Sequence, residues 1–223
     1  NKLKKYVDRL YIVFPFEKEY FDRKGVSYVY KGNPLVDAID NSEATNETRT
    51  EFLQRNSLDD KPIIAMLAGS RTAEIKTMMP VLSEFAARLR TIPQYSGYQF
   101  LIAGAPSRTM SDYSQYLNSS DSGIKVLFGQ TQNIIRHAEA AVVNSGTASL
   151  ETVLLGTPQV VGFICESRIT YLIARHIIKV RYISLGNLIV NKMAFRELIQ
   201  DDCNAEALVA EVRQLIENKA YRE

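Results

Sequence analysis

Cysteine, histidine and tryptophan are scarce in this chain, whose 223 residues include two cysteines, two histidines and no tryptophan. Cys165 and Cys203 are too few for a disulfide scaffold or a cysteine-rich zinc site, and they favour a reducing, cytosolic setting. No apolar run approaches the ~18 residues that a membrane span needs. A large excess of charge is also absent, since 27 Lys and Arg face 25 Asp and Glu. Nucleic acid is therefore not expected as the main partner.

Short apolar runs alternate with helix-length segments from residue 60 onward. The five runs are predicted to be strands at residues 62–67, 98–103, 125–128, 140–143 and 159–163. They lack strict polar alternation, which is typical of parallel strands covered by helices on both faces. We therefore predict an α/β fold with a doubly wound, Rossmann-like parallel sheet. Its ligand is expected at the carboxyl ends of the strands.

The chain divides into three predicted regions. Residues 1–39 are expected to hold the last strand, helix and strand of a truncated amino-terminal domain, with the crossover that follows. Residues 40–61 are polar and rich in Asn, Thr and Asp, with a short helix predicted at residues 43–56, and this favours a connector rather than a core element. Residues 62–223 are predicted to form the ligand-binding domain with carboxyl-terminal helices. Because the chain opens on Asn1 and moves at once into an apolar stretch, we expect a fragment of a longer protein.

The first candidate site follows the strand at 62–67 and precedes a helix. Gly69 permits close approach of the backbone, Ser70 offers a hydroxyl and a helix cap, and Arg71 offers a fork of donors that suits phosphate. Free N–H groups and the dipole at a helix start also favour an anion. The alternative is that Ser70 merely caps the helix and that Arg71 is a solvated side chain.

The second candidate site follows the strand at 140–143 and also opens a helix. Ser145, Gly146 and Thr147 offer small side chains and backbone donors, which again suit an anion. Glu151 shares a helix face with Thr147, four residues earlier, and its carboxylate suits the two hydroxyls of a ribose. The alternative for Glu151 is a capping-box partner that reaches back to the helix start.

Together the two loops favour a nucleoside diphosphate that is held without a metal ion. The sequence contains no Gly-x-x-x-x-Gly-Lys-Ser/Thr motif, which argues against a P-loop nucleoside triphosphatase. It contains no Gly-x-Gly-x-x-Gly motif, which weakens a dinucleotide interpretation. His-Glu-x-x-His and Gly-x-Ser-x-Gly are absent as well.

These motifs resemble those of the lipid-A-disaccharide synthase family, glycosyltransferases of the GT-B architecture with two facing Rossmann-like domains. The resemblance lies in KGNPLVD at 31–37, IIAMLAGSRTAEI at 63–75, VVNSGTASLETVLLGTPQVVGF at 142–163 and YISLGNLIVNKMAFRELIQDDC at 182–203. It implies that the chain is the carboxyl-terminal half, which binds the UDP-sugar donor. It also implies an inverting transfer of 2,3-diacylglucosamine from UDP-2,3-diacylglucosamine to 2,3-diacylglucosamine 1-phosphate (lipid X), giving lipid A disaccharide 1-phosphate and UDP.

The resemblance implies roles for particular residues. The diphosphate would be faced by Gly69, Ser70, Arg71, Ser145, Gly146 and Thr147. Glu151 would hold the ribose, Gly129 and Gln130 the nucleobase edge or the sugar, and Asn187 is a further candidate for substrate contact. The general base is expected in the missing half, so no catalytic residue is assigned, and no metal ion or other cofactor is implied. By itself this chain is expected to bind UDP without turnover.

Partners and alternatives follow from the same resemblance. Residues 163–178 interleave apolar and basic side chains, so they are predicted either to contact a membrane surface or to form a core helix with a basic outer face. We expect a cytoplasmic protein that is peripheral to the inner membrane, with a homodimer as a possible assembly. Alternatives are another UDP-sugar enzyme of the same architecture and a non-catalytic nucleotide-binding module. The first would be similar to the peptidoglycan N-acetylglucosaminyltransferase or to a UDP-N-acetylglucosamine 2-epimerase.

Overall fold

A computed structural model describes residues 2–117, 123–167, 171 and 181–222. The chain begins with two short parallel strands, β1 (Tyr11–Ile12) and β2 (Val29–Tyr30), joined by helix α2 (Glu17–Arg23). Helices α1 (Lys2–Tyr6) and α3 (Pro34–Asp40) flank them. Asn33 caps α3, because its side-chain oxygen accepts from the N–H of Leu35 at 2.9 Å. The observed strand, helix and strand have the order expected for residues 1–39.

The segment that precedes the main sheet is more than a connector. It contains helices α4 (Glu43–Asn46) and α5 (Arg49–Arg55). Thr48 begins α5 through a capping box, in which its hydroxyl accepts from the Glu51 N–H and its own N–H donates to the Glu51 carboxylate. Phe52 and Leu53 of α5 are buried in the core beneath the sheet. This differs from the expectation for residues 40–61, because the polar composition of the segment conceals one short apolar pair.

Within the described residues the main sheet has six strands, all of them parallel. They are β3 (Ile63–Leu67), β4 (Gln99–Gly104), β5 (Ile124–Phe128), β6 (Ala140–Asn144), β7 (Gln159–Phe163) and β8 (Glu197–Ile199). Their spatial order is β5-β4-β3-β6-β7-β8, which is the 3-2-1-4-5-6 order of a doubly wound Rossmann-like sheet. The predicted fold class is confirmed, and β8 is an addition to the five predicted strands.

Helices cover both faces of this sheet. Besides α5, the helices that the described residues form after β3 are α6 (Thr72–Thr91), α7 (Met110–Ser114), α8 (Thr131–His137), α9 (Thr147–Leu154), α10 (Leu185–Val190), α11 (Ala205–Glu217) and α12 (Lys219–Arg222). Strand β3 shows why its sequence lacks polar positions. Ile64 and Met66 pack against α6 and α11 on one face, while Ile63, Ala65 and Leu67 pack against α5 and α8 on the other.

The strand order reverses between β3 and β6, which are adjacent in the sheet. At such a switch point the loops that follow the two strands diverge to opposite faces and leave a crevice at the carboxyl edge. Here these are the loop from β3 to α6 and the loop from β6 to α9. Both predicted anion sites therefore lie at this crevice.

Candidate functional site

The crevice at the switch point is a pocket of about 290 Å³. Its wall includes seven of the ten predicted site residues, namely Gly69, Ser70, Arg71, Ser145, Gly146, Thr147 and Glu151. Two loops that are 75 residues apart in sequence thus meet because β3 and β6 are neighbours. The two loops differ in what their helix starts offer to a ligand.

The start of α9 is open. Gly146 is the N-cap residue, and within the described ranges no group accepts a hydrogen bond from the N–H groups of Gly146, Thr147 or Ala148. Ser145 is used internally, because its N–H donates to the carbonyl of Gly162 at 2.9 Å and its hydroxyl to the carbonyl of Ile183 at 3.0 Å. The backbone donors that begin α9 therefore remain available to an anion in the pocket.

Glu151 lies at the wall of the same pocket, one turn into α9. Gln132 donates to its carboxylate at 3.4 Å, which is a weak contact. The capping-box alternative is not what the structure shows: the Ser149 hydroxyl donates to the Gly146 carbonyl at 2.8 Å, and the described part of the chain contains no bond from Glu151 to the helix start. The half-buried carboxylate keeps most of its acceptor capacity for a ligand.

The start of α6 is closed by Glu74. One carboxylate oxygen, Oε2, accepts from the N–H groups of Ser70 at 2.9 Å and Arg71 at 3.1 Å. The other, Oε1, accepts from Nη1 of Arg71 at 2.7 Å. The expectation that Ser70 caps the helix is wrong, because Arg71 is the N-cap residue and the Glu74 carboxylate takes up the donors. Burial tends to raise the pKa of Glu74, but these N–H donors and the guanidinium outweigh burial and hold it below its ordinary value.

Gly69 permits a close approach, but the groups that approach it in the structure are side chains of this chain, and its approach to a ligand stays a prediction. Its φ of +99° lies in the left-handed region. A Cβ added there would lie 2.4 Å from Glu74 Oε2 and 2.7 Å from Asn144 Nδ2. Gly69 therefore makes room for the carboxylate that closes α6 and for the buried end of β6.

Gly129 and Gln130 do not line this pocket. Gly129 follows β5 and lines a separate cavity of about 670 Å³ with the ion pair of Glu47 and Arg55. Gln130 exchanges two amide hydrogen bonds with Asn56, at 2.9 and 3.0 Å. Both residues lie at the carboxyl edge of the sheet, farther toward β5 than the switch point.

Asn187 lies away from the pocket, fully buried in α10. Its Nδ2 donates to the Phe195 carbonyl and to Glu197 Oε1, both at 2.9 Å. Its Oδ1 accepts from the N–H of Ala194 at 2.8 Å and of Phe195 at 3.3 Å. All the hydrogen-bonding capacity of the amide is used to hold the turn before β8, so none remains for a substrate.

The pocket also contains residues that the sequence reasoning did not select, namely Glu74, Ala105, Pro106, Thr131 and Asn144. The position of Glu74, three residues after Arg71, is the capping-box spacing and could have identified it. Arg108 approaches the same loop, since its Nε donates to the Ser70 carbonyl at 2.8 Å. No sequence pattern indicates that contact, because 38 residues separate the partners.

Other features give no competing site for the chemistry. A larger groove of about 1020 Å³ lies near the starts of β6 and β7, at the edge opposite the converging loops. Among the residues described, no cluster of three or more His, Cys, Asp or Glu could hold a metal ion. Within the same ranges, no helix is long and apolar enough to cross a membrane. Of residues 163–178, which are predicted either to contact a membrane surface or to form a core helix, 168–170 and 172–178 lie outside the described residues.

A doubly wound parallel sheet with a crevice at its switch point defines a Rossmann-like α/β protein. Solved structures agree. A UDP-GlcNAc 2-epimerase from Methanocaldococcus jannaschii, in complex with UDP-GlcNAc and UDP, has a TM-score of 0.61 at 17% identity, over 95% of this chain and 55% of that one. The E. coli ADP-heptose LPS heptosyltransferase II has a TM-score of 0.56 at 16% identity, over 80% of this chain and 53% of that one. Identities this low establish the fold alone.

Sequence similarity identifies the family. The family model for lipid-A-disaccharide synthetase matches residues 1–223, and the chain belongs to this family. The lipid-A-disaccharide synthase of Geobacter metallireducens is 31% identical over 224 residues, covering 100% of this chain and 56% of that protein. That of Syntrophus aciditrophicus is 35% identical over 211 residues, covering 94% of this chain and 54% of that protein. The chain thus spans about half the length of the curated relatives it matches.

Proposed function

We propose that this chain is the donor-binding half of a glycosyltransferase that transfers 2,3-diacylglucosamine from UDP-2,3-diacylglucosamine to lipid X. The products are lipid A disaccharide 1-phosphate and UDP. Family membership supports the substrates, since the relatives carry the name lipid-A-disaccharide synthase. The observation that carries the proposal is the open start of α9 beside the Glu151 carboxylate, at the switch point of the sheet.

The diphosphate and the ribose of the donor would contact chemically different groups of the pocket. The N–H groups of Gly146, Thr147 and Ala148, which have no partner among the described residues, suit the diphosphate, because they carry the positive end of the α9 dipole. The Glu151 carboxylate would repel a phosphate but accepts hydrogen bonds from two ribose hydroxyls. Gly69, Ser70 and Arg71 form the facing wall.

The reaction requires a leaving group, a nucleophile and a base. When the bond between the anomeric carbon and the diphosphate breaks, negative charge grows on UDP, and the fixed dipoles of the α9 start stabilise it. The attacking hydroxyl of lipid X must lose its proton to a general base. We place that base in the part of the enzyme that this chain does not span. This half is then a binding module that orients the donor and stabilises the departing UDP.

The acylated substrates bear on where the enzyme works. Since both carry acyl chains, we place it in the cytoplasm, peripheral to the inner membrane. The apolar and basic sequence of residues 163–178 would contact anionic lipid. A homodimer is the assembly that we propose.

The 2-epimerase alternative has a similar fold at 17% identity, whereas the family match covers the full chain.

Calorimetric titration of the chain with UDP tests the proposal. Glu151→Ala should weaken UDP binding by about tenfold or more, because it removes an anionic acceptor for hydroxyl donors. Glu206→Ala removes an exposed carboxylate from α11 and serves as the matched control, with unchanged affinity expected. Absence of UDP binding by folded protein, or equal affinity of the Glu151→Ala variant, would contradict the proposed site.

A further inference from the structure

The charge of the pocket wall is unusual for an anion site. Among the described residues, the ionisable groups that line it are two carboxylates, Glu74 and Glu151, and one guanidinium, Arg71. The Arg108 guanidinium lies beside this wall, where it donates to the Ser70 carbonyl. Glu151 has a chemical reason to be there if the ligand contains a ribose. Glu74 has none of that kind, and it lies at the loop that faces the open start of α9.

Glu74 holds the set of donors that a phosphate group would use. Its Oε2 takes the two backbone N–H groups of Ser70 and Arg71, and its Oε1 takes the guanidinium at 2.7 Å. Backbone N–H donors at a helix start, together with an arginine guanidinium, are the usual environment of the oxygens of a bound phosphate. The carboxylate is therefore a resident anion at the α6 side of the pocket.

The two partners of this ion pair are held very differently. The Glu74 side chain is 21% exposed and packs against Gly69, whereas the Arg71 side chain is 83% exposed. An ion pair with one partner so exposed to water is weak, so the Arg71 guanidinium can exchange one anionic partner for another at little cost in free energy. Arg71 can thus turn to a ligand while Glu74 stays with the backbone donors.

We propose that Glu74 is an internal competitor of the diphosphate. It competes with the ligand for the Arg71 guanidinium, and its fixed negative charge at the pocket wall lowers the affinity for UDP. The inference rests on the proposed function and assigns Glu74 a specific part in it. A donor-binding half must release UDP after each transfer, and a resident anion that reclaims Arg71 favours that release.

Glu74→Gln is the test. Glutamine is nearly isosteric and keeps one oxygen for the N–H groups of Ser70 and Arg71, but it no longer forms an ion pair with the guanidinium. We expect UDP to bind about fivefold more tightly in metal-free calorimetry. The matched control is Glu84→Gln on the same helix, which removes an equal charge from an ion pair with Arg88 whose partners are both 55% exposed. It should leave the affinity unchanged.

A double variant separates competition from a merely structural role. The gain in affinity for UDP should disappear in the double variant that combines Glu74→Gln with Arg71→Ala. The loss of affinity caused by Arg71→Ala should be at least threefold larger in the Glu74→Gln background than in the native one. Unchanged or weaker binding in Glu74→Gln, or a gain that survives loss of Arg71, would overturn the inference and leave the proposed function standing. No UDP binding by any of these folded proteins would overturn the proposed function itself.

A measurement on the native chain covers the case in which Glu74→Gln does not fold. The guanidinium resonance of Arg71, assigned by its loss in Arg71→Ala, is followed by NMR as UDP is added. If the guanidinium exchanges the Glu74 carboxylate for a phosphate of UDP, this resonance should shift in proportion to the fraction of the chain that has UDP bound. A resonance that stays in place at saturating UDP would overturn the inference.

Discussion

Two glycines at the pocket serve opposite purposes. Gly69 has φ +99°, and its missing side chain leaves room for Glu74 and Asn144. Gly146 has an extended backbone, and no atom of the described residues lies within 4 Å of the position that a Cβ would occupy. The first glycine is therefore required by the fold of the loop, whereas the second keeps the open helix start accessible to a ligand.

Gly69→Ala should destabilise the chain. Left-handed strain and overpacking each cost ~1–3 kcal/mol, so we expect a loss of about 2–6 kcal/mol in the free energy of unfolding. Gly97→Ala is the control, since none of the atoms that the structure describes lies within 4 Å of its Cβ position, and it should change stability by no more than ~0.5 kcal/mol. Chemical denaturation of both variants measures the difference, and equal stabilities would contradict the assigned role of Gly69.

At the residue scale the sequence indicated which loops form the pocket but not how each side chain is used. Strand-to-helix turns with Gly and Ser are visible in sequence, so both loops were predictable. The capture of Arg71 by Glu74 depends on three-dimensional competition between anions and was not. Asn187 shows the same limit, because its amide holds a turn whose partners come from β8 and the residues before it.

Among the elements, α5 is the one whose part the sequence most understated. Phe52 is fully buried and stacks on His137 with ring centroids 4.9 Å apart. Burial of the His137 ring lowers the pKa of that residue below its ordinary value. Arg49 anchors the helix further, since its guanidinium donates to the carbonyls of His137 at 3.0 Å and Lys61 at 2.7 Å. The helix completes one face of the main sheet, although its polar surroundings in sequence resemble a linker.

Phe52→Ala should therefore behave as a core mutation. Removing a buried phenyl ring costs about 3–5 kcal/mol, and we expect a loss of that size in the free energy of unfolding. Gln54→Ala, two residues away on the exposed side of the same helix, should cost no more than ~0.5 kcal/mol. Urea denaturation of the two variants provides the measurement. If both variants were equally stable, α5 would be a connector rather than part of the core.

Long apolar strands were predictable and the short edge strand was not. The five predicted strands all appear, with ends that differ from the prediction by one residue at most. Their apolar runs are dictated by burial on both faces of the sheet. Strand β8 has three residues and begins with Glu197, whose carboxylate accepts from the N–H groups of Ile183 and Ser184 at 2.9 and 3.0 Å. Only its pairing with β7 makes it a strand, and that contact is not visible in sequence.

At the scale of the whole molecule, the parallel sheet brings the candidate binding groups together at one of its edges. Every β-to-α loop of the main sheet emerges at the carboxyl edge, so the donors of α9, the carboxylate of Glu151 and the facing loop converge there. The larger groove at the amino edge has no such convergence of helix starts. Size alone would select the wrong cavity, whereas topology selects the one at the switch point.

This arrangement predicts that the nucleotide binds without a divalent cation. Mg²⁺ in nucleotide sites is held by carboxylates in a near-octahedral shell, but Glu74 is already occupied by three donors of its own loop. The dipole of α9 supplies the compensating charge instead. Removal of metal with EDTA should therefore leave the Kd of the chain for UDP unchanged within about twofold. The control is a titration of metal-free protein into which Mg²⁺ is restored before UDP is added. A Kd that rises tenfold or more with EDTA and recovers with Mg²⁺ would show that a cation, rather than the helix start, carries the charge of the diphosphate.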